Sequence, residues 1–305
     1  MRELGLLVLL LSFTQCAISQ DSFDVVIANG RVMDPETGLD ALRHVGIRGQ
    51  AVVAISESPL RGEAEVDARG MVVSPGFIDL HSHGQSARAN EFQAIDGVTT
   101  EAYPYTAVST SLESALFDEG WQEKLQISYG DIQWQDIGER LTEQTFARYR
   151  EQGGVVIIHI MKEEWIRAQL ADPGVMVASD GMPYAPGAHP RSAGTFSRFI
   201  GRYVRDQELM SLMAGLAKVT LMPAERLESV APQMKRKGRI QVGSDADITI
   251  FDYADIIDTA DFEHDLSYSK GVRYVLVNGE FVVWDGELVE GARPGQAILG
   301  RHVVF

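Results

Sequence analysis

The chain has 305 residues, 45% of them hydrophobic, and a formal net charge of −16. That length and apolar share allow one large domain or two modest ones with a substantial core, and the acidic balance argues against nucleic acid as a partner. Cys16 is the only cysteine, so no disulfide framework can form. In chain order the first feature is a leader: Met1-Arg2-Glu3, an apolar run from Leu4 to Phe13, and the small-residue site Ala17-x-Ser19. This is the layout of a signal peptide over residues 1–19, cleaved after Ser19, and it implies a secreted or periplasmic protein. The run is too short to cross a bilayer, and no other segment forms a membrane span.

From Asp24 short apolar runs alternate with turn signals. Asp24 to Ala28 leads to Asn29-Gly30, which predicts a hairpin turn, and further strands follow at His44 to Arg48 and Ala51 to Ile55. The texture returns at the C-terminus in Ile248 to Asp252, in Val272 to Val277, in a second turn signal at Asn278-Gly279, and in Glu280 to Trp284. We therefore expect residues 20–72 and 236–305 to pair as one discontinuous small β-sandwich. The centre, residues 73–235, alternates differently. A helix end is expected at Gln93 to Gly97 and a short strand at Val98 to Thr100. Helices are expected over Gln135–Gln152, Lys162–Leu170, Thr195–Arg205 and Asp206–Val219, with strands at Val155 to His159 and Val175 to Gly181. This is the α/β pattern of βα units around a parallel sheet or barrel.

Two stretches carry chemistry. The apolar run Met71 to Val73 and Phe77-Ile78 ends in His81-Ser82-His83. At a strand end, residues i and i+2 point to one face, so two imidazoles can close on one metal ion. Asp180, in Ala178-Ser179-Asp180-Gly181, also ends an apolar run, a position where acids of barrel proteins are functional. His81, His83 and Asp180 could together hold a divalent metal, which makes water a usable nucleophile. Asp180 could also take the proton of that water and pass it to the leaving amine. Asp79 could orient a ligand imidazole. A hydroxyl pair with an arginine suits a carboxylate.

The flanking residues Pro75-Gly76-Phe77-Ile78-Asp79 with His81-x-His83 resemble the first-strand signature of the amidohydrolase superfamily, whose fold is a metal-dependent-hydrolase, TIM-like β/α barrel. The block Ser179-Asp180-Gly181, His189-Pro190-Arg191 and Gly194-Thr195-Phe196-x-Arg198 resembles the N-acyl-D-amino-acid deacylase (D-aminoacylase) family. Tyr103-Pro104-Tyr105-Thr106-Ala107-x-Ser109-Thr110 and Met161-x-Glu163-Glu164 are similar to two further blocks of it. The resemblance implies a zinc-dependent hydrolase of the amide of a small-molecule substrate, an N-acyl-D-amino acid. By it Tyr103 and Ser109, with Arg191, hold the substrate carboxylate. His159 and His189 are left between structural and substrate-contacting roles. A dihydroorotase-like cyclic amidase is the other superfamily member considered, and the block from Ser179 to Arg191 argues against it.

The barrel is too short. About a hundred residues separate His83 from Asp180, whereas seven βα units take roughly 210. The second family strand, Gly97 to Glu101, runs straight into Ala102-Tyr103-Pro104-Tyr105, which is similar to a much later one. The missing middle is where the family keeps its bridging cysteine or modified lysine and two further metal histidines. His44, His264 and His302 fall in the expected β-domain and cannot replace them. We expect an incomplete barrel holding one zinc ion at most, with exposed strand edges that favour self-association. Two readings stand: a working amidohydrolase with a reduced site, and an internally deleted, impaired relative with at most a ligand-binding role.

Overall fold

The computed structural model describes residues 22–81 and 102–300. The expected leader, His83, the helix end at Gln93 to Gly97, the strand at Val98 to Thr100, and His302 lie outside the described residues. The strands are β1 (Phe23–Asp34), β2 (Leu39–Arg48), β3 (Ala51–Ser56), β4 (Gly62–Asp67), β5 (Val72–Pro75), β6 (Val108–Ser111), β7 (Ile132–Trp134), β8 (Val155–Ile158), β9 (Ile248–Phe251), β10 (Val272–Val277), β11 (Glu280–Trp284) and β12 (Glu287–Leu288). The fold is mixed α/β.

The two ends of the chain do pair. One sheet runs in the order β12-β11-β10-β9-β5-β1-β2-β3, with β4 also beside β1. The join is β5 against β9, antiparallel, with Val73 opposite Ile250 and Ser74 opposite Thr249. The sheet curls back on itself: the Val52 N–H donates to Ser244 O and the Ala246 N–H to Gln50 O, so the β3 edge meets the segment that leads into β9. Inside the curl Val25, Ile27, Val45, Val52, Val66, Val73, Ile248, Ile250 and Leu276 form one apolar core. Buried Asp34 ties the same ends together by accepting from the main-chain N–H of Ile240 and from the side chain of Gln241.

The two Asn-Gly signals have different fates. Asn278-Gly279 is the expected hairpin turn between β10 and β11, both residues in the left-handed region. Asn29-Gly30 is not a turn. It lies within β1, where Asn29 has φ 61° and the β1–β2 register shifts between Ile27 and Gly30, so it is a bulge. A Cβ at Gly30 would lie 2.3 Å from Val73 Cγ2, so close packing of β5 on β1 requires glycine there. The chain turns instead at Pro35–Gly38.

The centre departs from the expected parallel βα pattern. β6, β8 and β7 form a small antiparallel sheet over an aromatic core in which Trp134 stacks on Tyr149 at 4.2 Å and Trp121 on Phe146 at 5.2 Å. Helix Glu143–Gln152 packs there, capped by Thr142; the turn at Gln135–Ile137 is separate from it. Helix Glu163–Ala171 is where the spacing places it. Helix Arg191–Arg198 starts earlier than expected and continues as a π-helical stretch, Phe199–Asp206; helices Leu212–Val219 and Leu221–Glu228 follow.

Residues 76–81 and 175–180 belong to no strand, so neither His81 nor Asp180 ends one. Single main-chain hydrogen bonds nevertheless set four segments side by side. The Asp180 N–H donates to His81 O, Ala178 N–H to Ala102 O, and Met161 N–H to Thr106 O. A core of Phe77, Ala102, Ile166, Val177, Phe196, Phe199, Leu216 and Phe251 lies between these segments, the helices and the sheet.

Candidate active site

Three loops meet here. The first, ending at His81, is fixed by Asp79, whose carboxylate accepts the His81 main-chain N–H at 2.9 Å and the Ser179 hydroxyl at 2.8 Å. The bond Asp79 makes to His81 is thus to the backbone, and it shapes the turn that carries the histidine. Burial pushes the Asp79 carboxyl up to about 6. Ser179 also accepts the Gly181 N–H at 3.0 Å. This pins Asp180 at φ 46°, a left-handed conformation that aspartate tolerates better than most residues.

Asp180 is the centre of the arrangement. Its Oδ1 lies 3.3 Å from His81 Nε2 and its Oδ2 3.0 Å from Arg191 Nη2. The Arg191 side chain is 1% exposed, and its Nε and Nη1 have no hydrogen-bond partner among the described residues. Its guanidinium sits 4.7 Å from the centre of the half-buried Tyr103 ring. Burial raises the Tyr103 phenol above its ordinary range.

The third loop follows Tyr103. Buried His189 packs edge-on to Tyr103, Tyr105 and Phe262. Its Nε2 is 3.0 Å from Ala107 O, and its Nδ1 accepts the Arg191 main-chain N–H at 3.1 Å. Burial holds its pKa well below the ordinary 6.5. His159 bonds Gln133 at 3.0 Å and rests on Phe262, and burial pushes it down to about 4. Ser109, on β6, pairs with Ile157, which in turn pairs with Gln133. Its side chain therefore shares the Gln133 face, away from the aromatic core, and its buried Oγ lacks a partner among the described residues.

His81, Asp180, Arg191 and Tyr103 thus come together, with Asp79 and His189 behind them; His159 and Ser109 lie on the neighbouring small sheet. Several participants carry no sequence signal. Asp258 accepts from Tyr105 and Arg198 and braces the Tyr103–Tyr105 segment; Gln133 and Phe262 reach the site only through the fold. The role of Ser179 was available in the Ser-Asp-Gly block. His44 is buried on β2, and His264 pairs with Asp261 on an exposed loop, so neither serves the site.

For a metal ion, the donors present are one imidazole and one carboxylate oxygen facing each other. This chemistry fits zinc. Among the described residues no group of three His, Cys, Asp or Glu side chains converges on such a point, and His83, the third expected donor, is outside them. Among the described residues no helix is long and apolar enough to cross a membrane.

Comparison with known proteins bears on the same residues. The amidohydrolase family model matches residues 141–283. The N-acyl-D-aspartate deacylase of Alcaligenes xylosoxydans xylosoxydans is 29% identical over 259 residues, covering 81% of this chain and 50% of that protein. This chain spans about half the length of the curated relatives it matches. Among solved structures, the Bordetella bronchiseptica N-acyl-D-glutamate deacylase, in complex with zinc and a phosphonate inhibitor, superposes with a TM-score of 0.72 at 18% identity, over 88% of this chain and 99% of the other. A D-aminoacylase examined for one-metal activation and second-metal attenuation at its binuclear centre gives 0.78 at 19%, over 91% and 100%. Beside the Asp79–Ser179–Asp180–Arg191 arrangement, these findings make the chain similar in sequence to amidohydrolases, the N-acyl-D-amino-acid deacylases and D-aminoacylase among them, and similar in fold to solved members of that group.

Proposed function

We propose that the protein hydrolyses the amide of N-acyl-D-amino acids and that its site holds one zinc ion at most. The carrying observation is Asp180, which faces His81 with one oxygen and a buried, incompletely partnered Arg191 with the other. A buried guanidinium with two unmatched donors is built for an anion that enters from outside. In this reading Arg191 takes the substrate carboxylate, with Tyr103 as the wall beneath it and Ser109 as a further hydroxyl. Asp180 accepts a proton from the attacking water and returns it to the departing amine, so that amide and water give a carboxylate and a free D-amino acid. His81, His83 and Asp180 would hold the zinc, which when bound polarises the scissile carbonyl and acidifies water. The likeness to a D-aminoacylase studied for activation by one metal supports a single-ion site.

The reading places the missing length inside the chain. The structural match extends over 100% of the D-aminoacylase chain, while sequence matches cover half of the curated relatives. The four hydrogen-bonded segments would then be what remains of the barrel, closed on one side by the sandwich formed from residues 20–72 and 236–305. The leader at residues 1–19 and export from the cytoplasm belong to the same proposal, as does self-association.

The test is elemental analysis together with turnover. We expect no more than one zinc per chain, and slow conversion of N-acetyl-D-methionine to acetate and D-methionine that disappears in Asp180→Asn and His81→Ala. Two zinc ions per chain would refute the single-ion site. Binding without product would favour the alternative that the half-length of the chain supports, an impaired relative that retains only ligand binding.

A further inference from the structure

His189 performs two hydrogen-bonding tasks that together fix its state. Helix Arg191–Arg198 has Pro190 at its N-cap position and no side-chain cap from it. Proline has no N–H, so the first main-chain donor of the helix is that of Arg191. It donates to His189 Nδ1 at 3.1 Å. A nitrogen that accepts carries no proton, so in the neutral ring the proton is on Nε2, 3.0 Å from Ala107 O. One imidazole therefore ties the start of the arginine-bearing helix to the segment after Tyr103. Ala107 leads directly into β6, which carries Ser109. The ring is fully buried, with Tyr103, Tyr105 and Phe262 around it at centroid distances of 6.0, 5.5 and 4.9 Å. Among the described residues the Arg191 side chain is held by Asp180 and by Tyr103.

We infer that His189 is a positioning residue that sets Arg191 in register with Tyr103 and Ser109, so that the three form one carboxylate-recognition surface. The inference rests on the substrate reading above and adds to it the element on which carboxylate selectivity depends. Orientation matters because a guanidinium recognises a carboxylate through directed, paired donors.

The test compares calorimetric affinities for N-acetyl-D-methionine and its uncharged carboxamide, N-acetyl-D-methioninamide. His189→Asn keeps an acceptor near the Nδ1 position and loses the Ala107 bond; His189→Gln reaches Ala107 and loses the cap on Arg191. We expect both variants to lose at least about tenfold of the wild-type preference for the carboxylate, with affinity for the carboxamide changed little. A merely structural role would weaken both ligands alike and overturn the inference, as would either variant retaining the full preference. The wild-type protein supplies an arm independent of variant folding: ¹⁵N resonances of His189 at pH 7 should report the neutral Nε2–H tautomer, and an Nδ1–H tautomer or an imidazolium would refute it. A wild-type protein with no preference for the carboxylate would overturn the substrate reading itself, and the inference with it, a result distinct from preference that survives in the variants.

Discussion

A guanidinium that is 1% exposed, with two nitrogens lacking partners among the described residues, lies deeper than its bonding warrants, since an unmatched buried donor costs about 1–3 kcal/mol. Structures retain such groups where a ligand completes them. Arg191→Lys should therefore lower affinity for N-acetyl-D-methionine by roughly 10–100-fold, the worth of one or two charge-assisted hydrogen bonds; an unchanged calorimetric Kd would remove Arg191 from the site. The histidines make a second expectation. Burial lowers His159 to about 4 and His189 well below 6.5, so below pH 6.5 the unfolded chain binds protons that the folded chain does not. The stability these neutral rings contribute is fully present above pH 6.5 and falls as pH drops toward 4. Urea midpoints should decline across that window, and His159→Gln should flatten the decline. An equal slope in the variant would show that other groups dominate.

At the scale of elements, close approach decides more than propensity. A Cβ at Gly194 would meet Asp258 Cβ at 2.4 Å and the Tyr105 hydroxyl at 2.7 Å, so helix Arg191–Arg198 can lie against the Asp258 loop only with glycine there. Gly194→Ala should cost about 1–3 kcal/mol of overpacking and disturb the Tyr105–Asp258–Arg198 brace; a denaturation midpoint equal to wild type would contradict that packing. The β5–β9 pairing joins segments far apart in sequence and rests on buried residues such as Val73 and Ile250. Ile250→Ala removes a fully buried side chain and should cost about 2–5 kcal/mol. Because β9 links β5 to β10 in the sheet of the described residues, the loss should appear as a single cooperative shift of the unfolding curve. A separate early transition at the C-terminus would mean that the two ends fold independently.

At the largest scale, one sheet built from both ends supports a centre in which, among the described residues, the site loops are held by single main-chain hydrogen bonds rather than by continuous ladders. Such a centre is expected to open before the sheet does. Hydrogen exchange should show the Ala102–Thr106 and Val175–Gly181 amides exchanging faster than those of β1 and β9; equal protection would indicate a more complete barrel than the described residues display. Sedimentation velocity showing only monomer at tens of micromolar would dispose of self-association.

The sequence by itself determined the likeness to amidohydrolases, the pairing of the two ends and the Asn278-Gly279 hairpin. Each depends on short-range signals: turn residues with a required backbone conformation, apolar alternation, or a contiguous block such as Ser179 to Arg191. It failed where outcome depends on what packs across a distance. Asn29-Gly30 has the same local preference as Asn278-Gly279, yet Val73 pressing on Gly30 and the continued pairing with β2 and β5 make it a bulge. The runs before His81 and Asp180 are apolar enough for strands, but among the described residues their neighbours supply isolated hydrogen bonds and no ladder. The tertiary structure alone brought His189 onto both Arg191 and Ala107, residues 2 and 82 positions away. No local rule links them, because burial and the surrounding aromatic rings, rather than spacing, decide where that imidazole bonds.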